Sequence, residues 1–312
     1  QLILETVGIS GLIFIIYFLM NLNASPLKIV AICTFFAAIS YRAIPSIHKI
    51  LYFHYNVKYF NPIFVELAKE IEIENEIEYH SEKFNSIDSI CLKDISFKYP
   101  KNKKFILEGI DLELKSNTSF GFYGESGGGK TTLLDIISGL VDADKGFVTT
   151  NGQEINSNFL KRKLQNNISY TSQKTSLIND TLKKNICFGI EDDNIDINEY
   201  EKSIKLAELH EFEKNFQNRS EKMSDFGKNL SGGQIQRIGI ARALYRNKDI
   251  LIFDEATNAL DENLEKRIIE NIIQLKNKKI IIFISHNLDL MKKLDVVYEV
   301  KNKKILLKQN FT

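Results

Sequence analysis

The chain has 312 residues, with 41 Lys and Arg against 40 Asp and Glu and 44% hydrophobic residues. That length accommodates about two domains, and the near-balanced charge lacks the basic surface of a general nucleic-acid binder. Cys33, Cys91 and Cys187 form neither a CxxC nor a metal-ligand spacing, so they read as small buried hydrophobes in a reducing compartment.

The opening is far more apolar than the remainder, and the chain starts at Gln1 without Met, so it reads as part of a longer polypeptide. One apolar run covers Val7–Leu22 and a second covers Ile29–Ile44, with Asn23-Ala24-Ser25-Pro26 between them. A membrane helix needs roughly 20 residues, which the flanks of each run complete, so the pattern predicts a helical membrane hairpin. Glu5 stands where a cleaved signal peptide would carry basic residues. Arg42, Lys49 and Lys58 lie at or beyond the end of the second run, whereas the loop has no charge before Lys28. This asymmetry places the chain after about His54 in the cytosol. Arg42 and Lys49 share a face if their helix continues through Pro45. The Glu-Ile alternation from Glu66 to Glu74 has the period of a strand, but so many like charges favour a solvated linker.

From Ile90 the chain turns β-rich, with runs at Ile90–Tyr99 and Phe105–Leu114, then Phe120–Tyr123. Next comes Gly124-Glu125-Ser126-Gly127-Gly128-Gly129-Lys130-Thr131-Thr132, which fits G-x-x-x-x-G-K-[ST] between a strand and a helix, Thr131–Ile137. Glycines let successive backbone N–H groups face an anion, and the helix adds its positive N-terminal end. Lys130 is expected to reach the outer phosphates of a nucleotide, with the Thr131 hydroxyl in a magnesium shell.

Later apolar runs, Ile168–Tyr170, Ile250–Phe253 and Ile280–Ile284, alternate with helical segments and predict a largely parallel sheet covered on both faces. Thr181–Phe216 reads as mostly helical with Asp180 as an N-cap, and Val296–Leu307 as a hairpin. Asp254, at the end of its strand, suits magnesium, and Glu255 one step on suits polarising the attacking water. Leu230-Ser231-Gly232-Gly233-Gln234 precedes a helical run, Ile235–Leu244, and makes a second anion site or a plain helix cap.

In this order, GESGGGKTT, LSGGQ and ILIFDEA resemble the ATP-binding-cassette (ABC) family. The resemblance implies an α/β fold: a P-loop NTPase domain with a mixed β sheet and a helical subdomain, preceded by the α-helical membrane hairpin. It divides the chain into the last part of a transmembrane domain (1–60), an extension and linker (61–86) and a nucleotide-binding domain (87–312), with the helical subdomain at about 175–247. It implies that Tyr99 stacks on adenine, that Gln173 joins Thr131 and Asp254 at magnesium, and that His286 meets the γ-phosphate. Glu255, His286 and Gln173 are then the catalytic set. Ser231, Gly232, Gly233 and Gln234 of one subunit would close over ATP held by Gly124–Thr132 of the other in a homodimer, with Asp261 of the D-loop at that interface.

Ser172 stands where proline is frequent, Asn258 where serine is usual, and Met223-Ser224-Asp225-Phe226-Gly227 matches its family segment only at Asp225 and Gly227. The implied function is that of an exporter half-transporter in a cell or inner membrane, multi-pass, with its ATPase domain in the cytoplasm, using ATP and Mg2+. Leu4-Glu5 and Tyr41-Arg42-Ala43-Ile44-Pro45-Ser46 resemble PglK-type lipid-linked oligosaccharide flippases, so the expected cargo is such a glycolipid or another amphipath. Alternatives are a lipid, drug or peptide exporter, or a soluble regulatory ABC ATPase without a transport role.

Overall fold

The computed structural model describes residues 2–22, 24–75, 82–100, 104–217 and 230–308. The chain divides into two compact units, Gln1–Tyr79 and His80–Thr312.

The first unit is helical. α1 spans Leu2–Asn21 and α2 spans Pro26–Asn75, the latter 50 residues long with Pro45 and Pro62 inside it. At about 1.5 Å per residue, α2 is a rod about 75 Å long. The acidic Glu-Ile stretch is therefore helical up to Asn75 and not the strand that its alternation suggests. Its period-two pattern is overridden by continuation of the preceding helix, in which Glu, Lys, Leu and Ala are all favourable residues. Among the described residues one helix, within Pro26–Lys69, is long and apolar enough to cross a membrane, and the apolar part of α1, Gly8–Asn21, is shorter. Leu27, Phe35, Tyr52, Phe53 and Tyr59 lie exposed along α2, as do Arg42 and Lys49.

The second unit holds two sheets. One is antiparallel, in the order β2-β1-β4-β5, made of β1 (Ser89–Phe97), β2 (Leu107–Lys115), β4 (Lys145–Thr150) and β5 (Gln153–Glu154). The other has the order β10-β9-β3-β8-β7-β6. In it β3 (Thr118–Tyr123), β6 (Ile168–Thr171), β7 (Ile250–Asp254), β8 (Ile280–Ile284) and β9 (Val296–Lys301) are parallel, and β10 (Lys304–Leu307) closes one edge as the second strand of a hairpin.

The Ile-rich strands are buried on both faces because each supplies two cores. Ile250, Ile252, Ile280 and Ile282 pack with Leu133, Leu134 and Ile137 of α3 (Lys130–Ile137) and with Ile90, Leu92 and Leu112 of the antiparallel sheet. Leu251, Phe253, Ile281 and Phe283, between them in sequence, point the other way. There they meet Ile238 and Ala241 of α8 (Gly232–Tyr245) and Ile268 and Ile272 of α9 (Glu262–Ile273). Phe253 and Phe283 stack with centroids 5.0 Å apart.

Between β4 and α8 lie α4 (Asn158–Gln165), α5 (Leu182–Ile186), α6 (Ile197–Leu206) and α7 (His210–Gln217). The N-cap of α5 is Thr181, whose hydroxyl accepts from the Lys184 N–H, and not Asp180. Leu182 is the first helical residue, so only the residue directly before it can face the open N–H groups. Cys187 is buried, but Cys33 and Cys91 are only half-buried and so less hidden than expected of small hydrophobes.

Candidate nucleotide site

Parallel order brings the C-terminal ends of β3, β8 and β7 side by side, with β6 next to β7. Ligands in open α/β sheets bind at such ends. β3 leads into the Gly124 loop, β7 ends on Asp254-Glu255, β8 leads to Ser285-His286, and β6 leads to Ser172-Gln173.

The glycine loop turns through Gly124, at φ +150°, where a Cβ atom would lie 2.3 Å from the Val300 carbonyl oxygen. Glu125, Ser126 and Gly127 are exposed, Gly128 donates its N–H to the Glu125 carbonyl at 3.1 Å, and Gly129 precedes α3. Lys130 opens α3 and donates Nζ to the carbonyls of Gly124 and Glu125, both at 2.9 Å. Burial pushes its ammonium below the usual lysine range, against the pull of Glu255 and Asp254. Thr131 Oγ1 donates to Asp254 Oδ2 at 3.3 Å. Thr132 lies 3.2 Å from the hydroxyl of Tyr99, whose ring sits edge-on to Phe97 and is 42% exposed.

Asp254 is buried, and that burial raises its carboxyl above the ordinary aspartate range. Tyr170 on β6 donates its hydroxyl to Asp254 Oδ2 at 2.9 Å. Desolvation, then the Asp254 charge, lifts the Tyr170 phenol well above its normal value. Asp135, one turn beyond Thr131 on α3, is also raised, first by burial and then by Asp254. Thr131 and Asp254 together offer hard oxygen donors at the end of the glycine loop, a set that fits magnesium.

Glu255 adopts φ +51°, and its N–H bonds the Ile284 carbonyl at 3.0 Å. Its Oε2 accepts from Gln173 Nε2 at 2.7 Å and from Asn258 Nδ2 at 2.9 Å, and its Oε1 lies 3.1 Å from His286 Nε2. Gln173, Glu255 and His286, distant in sequence, thus meet at one carboxylate.

Ser231 caps α8 in a reciprocal box: its hydroxyl accepts from Gln234 N, and the Gln234 amide oxygen accepts from Ser231 N. Gly232 and Gly233 form the first residues of α8, and Asp261 caps α9 by accepting from Leu264 N at 3.0 Å. Within one chain these residues act as helix caps, apart from the Glu255 cluster. Met223–Gly227 lies outside the described residues.

Sequence reasoning missed Tyr170, which reads as an ordinary strand residue, and the reach of Asn258 to Glu255. It also missed Glu265, 7% exposed on α9, whose carboxylate accepts from Thr257 Oγ1 at 2.7 Å and from Asn287 Nδ2 at 2.8 Å. Thr257 follows Glu255 by two positions and Asn287 follows His286 by one, so Glu265 ties together the two loops that carry them. Glu265→Leu strips two donors of their acceptor and is expected to cost about 3 kcal/mol. Glu265→Gln should cost under about 1 kcal/mol, because its amide can donate to Thr257 and accept from Asn287. Thermal melts of the two variants check this, and equal loss in both would remove the bridging role.

A glycine loop at a helix N-terminus, facing a strand-end carboxylate pair on a parallel sheet, defines a P-loop nucleotide-binding domain. Residues 107–258 match the ABC transporter family. The chain therefore carries an ABC transporter ATPase domain. It is 34% identical over 222 residues to an ATP-dependent lipid A-core flippase of Vibrio parahaemolyticus, covering 71% of this chain and 38% of that protein. It is 33% identical over 217 residues to a probable ABC transporter ATP-binding/permease protein of Haemophilus influenzae, covering 69% of this chain and 38% of that one. The fold is similar to that of a bacterial Atm1-family ABC exporter solved with ATP bound, with TM-score 0.68, 22% identity, and coverage of 97% of this chain and 52% of that one. The chain thus spans about two fifths of the length of these curated relatives.

Proposed function

We propose that this chain is the ATP-hydrolysing part, with the last two membrane helices, of a homodimeric ABC exporter that moves a lipid-linked oligosaccharide or another amphipath. The observation that carries the reading is the meeting of Gln173, His286 and Glu255 beside the Thr131–Asp254 pair. Backbone N–H groups of the glycine loop and Lys130 would bind the β- and γ-phosphates. Thr131, Asp254 and Gln173 would hold Mg2+, which supplies neutralisation of phosphate charge when bound. Glu255 would orient a water and accept its proton as the water oxygen bonds to the γ-phosphorus and the bond to the ADP oxygen breaks. His286 would face the γ-phosphate, and Tyr99 the adenine.

The apolar α1 and α2 support a multi-pass place in a cell or inner membrane with the ATPase domain in the cytoplasm, and relatives named lipid A-core flippases support a lipid-type cargo. The intact Ser231–Gln234 and Gly124–Thr132 segments support a two-site dimer, in which each contact occurs twice by symmetry.

The test uses the full-length protein in sealed vesicles, with ATP-driven movement of a fluorescent lipid-linked oligosaccharide as readout. ATP turnover with no movement of any amphipath offered would overturn the transport reading, and recovery of the protein in the soluble fraction without detergent would favour a regulatory ATPase. For the dimer, Glu255→Gln protein is expected to shift from monomer to dimer ATPase units on ATP addition, read by crosslinking between cysteines placed at Ser231 and Ser126. Absence of an ATP-dependent crosslink would sink the two-site arrangement.

A further inference from the structure

We propose that Tyr170 is a positioning residue for Asp254, holding that carboxylate in the orientation in which it receives the magnesium of the bound nucleotide. The inference rests on the reading that Asp254 is a magnesium ligand.

Asp254 ends β7 and is only 6% exposed, so its orientation depends on the polar groups that reach it. Two hydroxyls meet the same oxygen, Oδ2: Tyr170 at 2.9 Å and Thr131 at 3.3 Å. They differ in kind. Thr131 opens onto the nucleotide side and is exposed, and a magnesium ligand gives its oxygen lone pair to the cation. Tyr170 comes from β6, where it is paired in register with Ile252, two residues before Asp254. Its ring packs against the core formed by β7, β8 and α3. That packing fixes the ring, and a fixed ring fixes the hydroxyl.

The phenol hydroxyl donates to Oδ2, and an ionised carboxylate oxygen can only accept, so the bond runs in one direction. From a ring held in place, that donation sets the plane of the carboxylate before any cation arrives. Groups that orient metal ligands in this way commonly change metal affinity about 10- to 100-fold when removed. Tyr170→Phe deletes one oxygen and keeps the ring, so the fold is retained while the donor is lost.

The experiment titrates Mn2+ into the full chain with a non-hydrolysable ATP analogue and follows free Mn2+ by electron paramagnetic resonance, beside analogue binding in EDTA. Tyr170→Phe is expected to weaken Mn2+ binding about tenfold with analogue binding in EDTA unchanged. Mn2+ binding within twofold of wild type, while Asp254→Asn weakens it strongly, would overturn the role of Tyr170 alone. A parallel loss of analogue binding in EDTA would assign Tyr170 to packing and overturn it too. Unchanged Mn2+ binding in Asp254→Asn would overturn the magnesium reading and this inference with it.

Discussion

Glu255→Gln is expected to lower phosphate release by at least about 100-fold while leaving ATP affinity within a few-fold, measured by steady-state release and equilibrium binding. The fold around it should hold, for a reason visible in the hydrogen bonds. Oε2 accepts from Gln173 and Asn258, and the amide oxygen of glutamine can take that place. The amide nitrogen then faces His286 Nε2, which in its neutral form accepts. What is lost is the second carboxylate oxygen and its charge, the part that would take a proton from water. Phosphate release close to wild type would remove Glu255 from the chemistry and leave it a structural knot between three loops.

Gly124→Ala is expected to reduce nucleotide binding at least about tenfold and to cost about 3 kcal/mol of stability, because strained φ and a forced contact each cost of that order. The new Cβ would stand 2.3 Å from the Val300 carbonyl oxygen, and that obstacle is backbone of β9, not a side chain able to rotate away. The Gly124 carbonyl also receives Lys130 Nζ, so any shift there moves the ammonium that is to meet phosphate. Gly127→Ala is the control. Gly127 has φ +77° with nothing within 4 Å of its would-be Cβ, so that change meets the conformational cost, about 1–2 kcal/mol, without a collision. Isothermal titration with ATP and a thermal melt separate the two; equal behaviour would show that crowding at Val300 is irrelevant.

What could be read from the sequence was whatever lies contiguous in it. The glycine loop, Asp254-Glu255 and Ser231–Gln234 each carry their meaning within a few residues, and Ile-rich runs announce strands buried on both faces. Tyr170 was not legible because its role depends on the parallel register of β6 on β7, which no local pattern states. Glu265 reads as one more charge on an amphipathic helix until Thr257 and Asn287 are seen to converge on it. The separate antiparallel sheet was hidden because β1 and β2 precede the glycine-loop strand with nothing in their own residues to assign them elsewhere. The helical course of α2 to Asn75 was masked by a strand-like alternation that continuation from the preceding turns overrides.

The strand order has a consequence for how the molecule comes into being. β3, which delivers the glycine loop, lies between β8 and β9, with Thr118 opposite Ile280 and Phe120 opposite Val296. Both neighbours are encoded near the far end of the chain, so a ribosome has made the loop, its helix and all of the intervening helices before β3 has any strand to pair with. Such long-range parallel pairing is slow and leaves apolar edges uncovered meanwhile. The nascent Phe120–Tyr123 segment is therefore expected to wait, without a partner strand, until Ile280–Ile284 and Val296–Lys301 have been made.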